Sequence, residues 1–93
     1  MYDKILKRIQ EKVRTREYVM TLHAEEEMAA DGLTIYDVEQ GLLSGKIVEK
    51  QKDSKTGESK YLLRGQTPTG EFLGLVTKMS ITGKLVIITV YID

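Results

Sequence analysis

Apolar residues recur at Ile5, Leu6, Ile9 and Val13, while Lys4, Lys7, Arg8, Gln10 and Lys12 take positions elsewhere around the wheel. That spacing predicts an amphipathic helix over residues 2–14, with one stripe packed and the rest in water. Tyr18, Val19 and Met20 are β-favouring or adaptable residues between polar flanks, and allow a short strand or an extended connector. Thr21 then stands where an N-cap hydroxyl can accept from a first-turn amide, with Glu25 and Glu26 near the positive end of the dipole. A second helix follows from about Leu22 to Ala30, ended by Gly32. Thr34 with Asp37 three residues on is a capping-box start. Ile35, Val38 and Leu42 form the buried stripe of a third helix that stops at Gly45.

From Lys46 the period becomes that of strands. Ile47 to Gln51 and Tyr61 to Leu63 flank the polar, Gly-containing loop Asp53 to Glu58, which reads as a hairpin. Thr67-Pro68-Thr69-Gly70 sets proline and glycine where a type I turn wants them. Phe72 to Lys78 is the next strand, Ser80 to Gly83 the next turn, and Leu85 to Tyr91 the most strand-like segment. Strict alternation there puts Val86, Ile88 and Val90 on one face and Leu85, Ile87, Thr89 and Tyr91 on the other. Residues 1–93 therefore read as one α+β domain, with two to three N-terminal helices packed on one face of a four-stranded antiparallel meander. The last strand lies well inside the sheet, and the opposite face is free to present side chains.

Composition narrows the setting. The chain has 93 residues, 41% of them apolar, with no cysteine and no tryptophan, so a modest core must hold without disulfides, as in an intracellular protein. No apolar run approaches the roughly 20 residues of a membrane span, and a cytoplasmic location is expected. Net charge is zero, but the signs are segregated. Residues 1–16 carry six basic and two acidic side chains, residues 17–39 seven acidic and no lysine or arginine, and residues 40–93 eight basic against five acidic. Such a bimodal surface favours an oppositely charged protein partner and argues against the wholly basic footprint common in nucleic-acid binders, unless the charges are simply scattered over solvated faces.

The only histidine, His23, is the group whose ordinary titration suits general acid or base work. At the second position of a helix, however, a lone histidine is more often a capping or packing residue. Glu27 lies four residues on along the same helical face, but two such groups fall short of a metal site, which needs three or four ligands. No metal or other cofactor is expected. Lys60, Arg64, Lys78, Tyr61 and Tyr91 are spread over the strands. Lys60 and Arg64 share a strand face with Leu62, while Tyr61 and Leu63 point the other way. Cations that stabilise phosphorane-like charge and groups that move protons are what RNA cleavage without a metal requires. Lysines at sheet edges also serve simply to discourage aggregation. The basic hairpin, with Lys46, Lys50, Lys52, Lys55, Lys60 and Arg64, can track a phosphate backbone, diluted by Glu49, Asp53 and Glu58. The glycines fall at helix ends, turns and strand positions and form no phosphate loop.

From Tyr18 to Asp93 the chain resembles a small bacterial domain family of unknown function allied to the RelE, BrnT and MqsR toxin ribonucleases. The matching pieces are His23-Ala24 with Met28, Gly32-Leu33-Thr34, Gly45-Lys46-Ile47-Val48-Glu49, Lys60-Tyr61-Leu62-Leu63, Gly70, and Leu85 to Tyr91. The family pattern has arginine where this chain has Glu27, and commonly Gly-Arg where it has Gly65-Gln66; both departures remove positive charge. The resemblance implies a RelE-toxin-like fold, an antitoxin-like protein partner encoded nearby, and His23, Lys60 and Tyr91 as the residues that carry over best. Two functions follow. One is a metal-independent mRNA endoribonuclease using His23, Lys60, Arg64 and Tyr91 for chemistry, with Lys50, Lys52, Lys55 and Lys78 on the RNA. The other is a non-catalytic protein-interaction module of the same fold.

Overall fold

Helices lead and strands follow, with one short strand inserted early. The computed structural model describes residues 2–93, as α1 (Asp3–Arg14), β1 (Tyr18–Met20), α2 (Leu22–Ala30), α3 (Ile35–Ser44), β2 (Lys46–Lys52), β3 (Ser59–Gln66), β4 (Phe72–Met79) and β5 (Leu85–Ile92). Local chemistry sets the helix starts as the sequence suggests. The Thr21 hydroxyl accepts from the Ala24 N–H at 3.1 Å. Thr34 and Asp37 complete a capping box, with the Thr34 N–H donating to Asp37 Oδ2 at 2.9 Å and the Asp37 N–H to Thr34 Oγ1 at 3.2 Å. Helix α1 closes with a non-glycine residue in the left-handed region, Arg16 at φ 59°, whose neighbour Glu17 donates its N–H back to Lys12 O. Among the described residues, no helix is long and apolar enough to cross a membrane.

Strands β2 to β5 form the expected antiparallel meander, but the sheet does not end there. Its order is β1-β5-β4-β3-β2, and β1 runs parallel to β5 through the pairs Tyr18–Leu85, Val19–Val86 and Met20–Ile87. The sheet is thus five-stranded and mixed, where four antiparallel strands were expected. A three-residue strand carries little periodicity of its own. It is held because the Leu85 N–H donates to Glu17 O and the Thr21 N–H to Ile87 O, each at 3.0 Å.

One core lies between the helices and a single sheet face. It joins Ile9 and Val13 of α1, Ala24 of α2, and Val38 and Leu42 of α3 to Leu63, Leu73, Leu75, Leu85, Ile87 and Val90. Ile35 does not belong to it; it is 42% exposed at the start of α3. Val90 joins because of a β-bulge. Val76 pairs with Thr89 and Thr77 with Ile87, leaving Ile88 as an extra residue. A bulge shifts every later side chain by one face, so Leu85, Ile87 and Val90 share the buried side, and strict alternation fails from Ile88 onward. A second bulge, at Val48, separates the Ile47–Leu63 and Glu49–Leu62 pairs.

Helix α3 sits unusually close to the sheet. A Cβ on Gly65 would lie 1.8 Å from Gly41 O, so helix and strand meet backbone to backbone. Two polar residues secure this end of α3, whose last carbonyls have no partners within the helix. Gln10 Nε2 donates to Leu42 O and Leu43 O at 3.2 and 3.1 Å, and the Gln66 N–H donates to Ser44 Oγ at 3.0 Å. Among the described residues, no helix covers the far side of the sheet.

Candidate functional site

On that uncovered face the strand registers align one row across four strands: Lys46 beside Arg64, Arg64 beside Gly74, and Gly74 beside Tyr91. Gly74 lacks the side chain that would block Tyr91. A Cβ there would stand 2.1 Å from the ring's Cζ and 2.4 Å from its hydroxyl, so the phenol reaches from β5 across β4 and ends one strand from Arg64. The Ile88 bulge is what turns Tyr91 to this side. Val48, turned out by its own bulge and 54% exposed, helps Leu62, Arg64, Tyr91 and Asp93 to enclose a cleft of about 260 Å³.

Arg64 is held from two directions. Its guanidinium carbon lies 5.4 Å from the centre of the Phe72 ring, within cation–π range, and its Nε pairs with Asp93 Oδ2. Lys60 and Lys78 stand on the same face and are also paired. Lys60 Nζ lies 3.6 Å from Asp53 Oδ2, and Lys78 Nζ 3.0 Å from Glu58 Oε2. The Asp53 carboxyl is held below its usual range, first by the N–H groups of Lys55 and Thr56 and then by the Lys60 charge. Asp53, Glu58 and Asp93 were not apparent as part of the site in the sequence. The short hairpin makes the Asp53–Lys60 pair reachable by counting residues, but no local pattern announces Asp93.

The remaining expected residues lie elsewhere. Lys50 pairs across strands with Tyr61 on the helical side, beside the Tyr2 ring that packs edge-on against Tyr61 at 6.5 Å. Lys52 ends β2 and Lys55 sits in the exposed loop. The RNA-binding set therefore divides, with Lys78 on the uncovered face and Lys50 behind it. His23 lies in the first turn of α2 with a side chain 67% exposed, its Nε2 3.3 Å from Glu27 Oε1. The same Glu27 oxygen accepts the Val90 N–H at 3.1 Å. His23 lines neither the Arg64–Tyr91 cleft nor the neighbouring cleft formed by Thr21, Lys78, Ile81 and Val86. No three His, Cys, Asp or Glu residues among those described converge to hold a metal ion.

A family model described as a domain of unknown function, DUF4258, matches residues 20–92. The chain belongs to the DUF4258 family. Neither the curated proteins nor the solved structures contain a match to it. The DUF4258 span takes in α2, α3 and β2 to β5, and with them His23, Lys60, Arg64, Lys78 and Tyr91. Helix α1 and most of β1 precede that span, although they complete the core and the sheet edge.

Proposed function

We propose that this DUF4258 chain is the toxin-like component of a toxin–antitoxin module, an endoribonuclease of RelE-like fold that cuts RNA without a metal on the uncovered face of its sheet. The observation that carries the reading is the Tyr91 ring lying across Gly74, its hydroxyl one strand from Arg64 in an open cleft. In the cleavage step the 2′-oxygen bonds to the adjacent phosphorus as the bond to the 5′-oxygen breaks. The 2′-hydroxyl proton passes to water, and Tyr91 supplies the proton that the leaving 5′-oxygen takes up. Arg64, with Lys60 and Lys78, balances the charge that grows on the phosphorus oxygens. His23, exposed and apart from this cleft, is left with the structural role of a partner for Glu27.

The test uses the purified chain with a short RNA in the presence of a chelator. Fragments with 2′,3′-cyclic phosphate and 5′-hydroxyl ends are expected from the parent, and none from Tyr91→Phe or Arg64→Ala proteins that melt near the parent. Intact RNA with the folded parent, together with normal growth when the chain is induced in cells, overturns the reading.

A second reading, a non-catalytic module that binds an antitoxin-like protein, is favoured by the pairing of Lys60, Arg64 and Lys78 with carboxylates. A surface neutralised in this way is solvated at little cost without any RNA. Co-purification with the product of the adjacent gene, with RNA left intact, is its signature.

A further inference from the structure

Three cations of the uncovered face, Lys60, Arg64 and Lys78, are matched by three acids that all lie off the paired strands, while Lys46 stands beside Arg64 on the outermost strand. Asp53 and Glu58 stand at the two ends of the β2–β3 loop, and Asp93 follows β5. Lys60 and Lys78 adjoin the Tyr61–Thr77 pair at one end of the face. Arg64 marks the other end, four residues along β3 and so about 13 Å away. Between them runs the row Glu49, Leu62, Val76 and Thr89, of which Leu62, Val76 and Thr89 are uncharged and half-buried. The rings of Tyr91 and Phe72 lie at the Arg64 end.

We infer that Asp53, Glu58 and Asp93 occupy the places of a ligand's phosphates, so that this face takes a single strand of several phosphodiesters and excludes isolated phosphates and mononucleotides. The inference rests on the reading above for RNA as the polyanion. Its physical basis is the cost of displacement. One phosphate that replaces one carboxylate exchanges an anion for an anion at an exposed pair worth about 0–1 kcal/mol, and gains almost nothing. A strand that spans the face displaces all three acids in one binding event, releases its own counterions, and lays bases against the Tyr91 and Phe72 rings and the apolar row. The acids thereby act as a charge filter. They keep the face closed to small anions and leave it open to a chain.

The test is binding of a labelled single-stranded RNA of about 12 nucleotides, titrated over a range of salt, with AMP and inorganic phosphate as competitors. The variant Asp53→Asn, Glu58→Gln, Asp93→Asn frees all three cations. Asparagine keeps the Oδ1 carbonyl that accepts from Lys55 N–H and Thr56 N–H, so the loop is preserved. The variant is expected to bind RNA more tightly, with a log–log salt slope steeper by about 2, because in the parent each displaced carboxylate takes up counterions that offset the release of about 0.7 per phosphate contact on a single strand. AMP and phosphate should compete poorly with the parent and measurably with the variant. A control that makes the same charge change elsewhere, Glu25→Gln, Glu26→Gln, Glu71→Gln, should leave the slope near that of the parent. An unchanged slope in the variant, an equal gain in the control, or effective competition by phosphate against the parent each overturns the inference. Cleavage is read in the separate assay above, so the two proposals fail separately. Variant binding without cleavage removes the nuclease reading alone, and cleavage by the parent with an unchanged slope removes the filter alone.

Discussion

Glu27 on α2 accepts the backbone N–H of Val90 on β5, and the same carboxylate oxygen lies against His23. Strand β1 pairs with β5 only as far as Ile87, so beyond that point Glu27 takes over from the missing strand partner. Glu27→Ala strands a buried amide, which costs about 1–3 kcal/mol. His23→Gln removes only an exposed contact and should fall within about 0.5 kcal/mol of the parent. Urea denaturation of the two variants checks this. Equal losses would make His23 the anchor, and a stable His23→Gln protein that has lost all RNA cleavage would restore it as a catalytic base.

Two glycines should behave oppositely when given a methyl group. Gly65→Ala drives a Cβ into the backbone carbonyl of Gly41, where neither helix nor strand can yield cheaply, and a loss of about 3 kcal/mol or more is expected. Gly74→Ala meets only the far end of the Tyr91 ring. The ring must swing away, so the fold should persist while any Tyr91-dependent cleavage falls. Thermal melts with an RNA assay separate the two outcomes, and a Gly74→Ala protein with full activity would show that the ring position is immaterial.

Ile87→Asp should abolish folding, because it buries an unpaired carboxylate at several kcal/mol against a total stability of about 5–15. Ile88→Asp, at the half-buried bulge position, should keep a cooperative melt at reduced stability. Comparable unfolding of the two would place Ile88 in the core after all.

Tyr18 links β1 to α3 through a hydrogen bond from its hydroxyl to Glu39. Burial first, then that bond and the Glu39 charge, push its pKa up to about 12 from 10. A raised pKa in the fold means that the neutral form is favoured there, so this contribution is complete below pH 10 and is lost as pH rises to about 12. The melting temperature should therefore fall more steeply between pH 10 and 12 in the parent than in Tyr18→Phe. Parallel curves would contradict the assignment.

Arg16 closes α1 at φ 59°, a conformation that glycine adopts without a Cβ penalty. Arg16→Gly should stabilise the protein by up to about 1 kcal/mol, read from the urea midpoint. A clear destabilisation would mean that the arginine side chain holds this corner by some other contact.

The helices were legible because their determinants are local. Thr21 and Ala24, or Thr34 and Asp37, lie within one turn of each other, and the side chain that caps is a neighbour in sequence. The meander was legible for a similar reason, since Gly57, Gly70 and Gly83 mark its reversals and hairpin partners are close along the chain. The shared face of Lys60, Leu62 and Arg64 followed from strand alternation alone, because β3 pairs with β4 without interruption.

Tertiary structure decided the rest, wherever one residue or one distant partner changes the outcome. Three residues of β1 acquire strand character only when β5 arrives beside them, more than sixty positions later. The extra residue at Ile88 sends Val90 into the core and Tyr91 to the open face. Alternation cannot reveal such a shift, because a bulge is set by how two strands accommodate each other and not by the pattern of either one. The candidate site has the same origin. Gly74 and Tyr91, or Arg64 and Asp93, carry no mutual signal along the chain, and they become a cleft only when three strands bring them together.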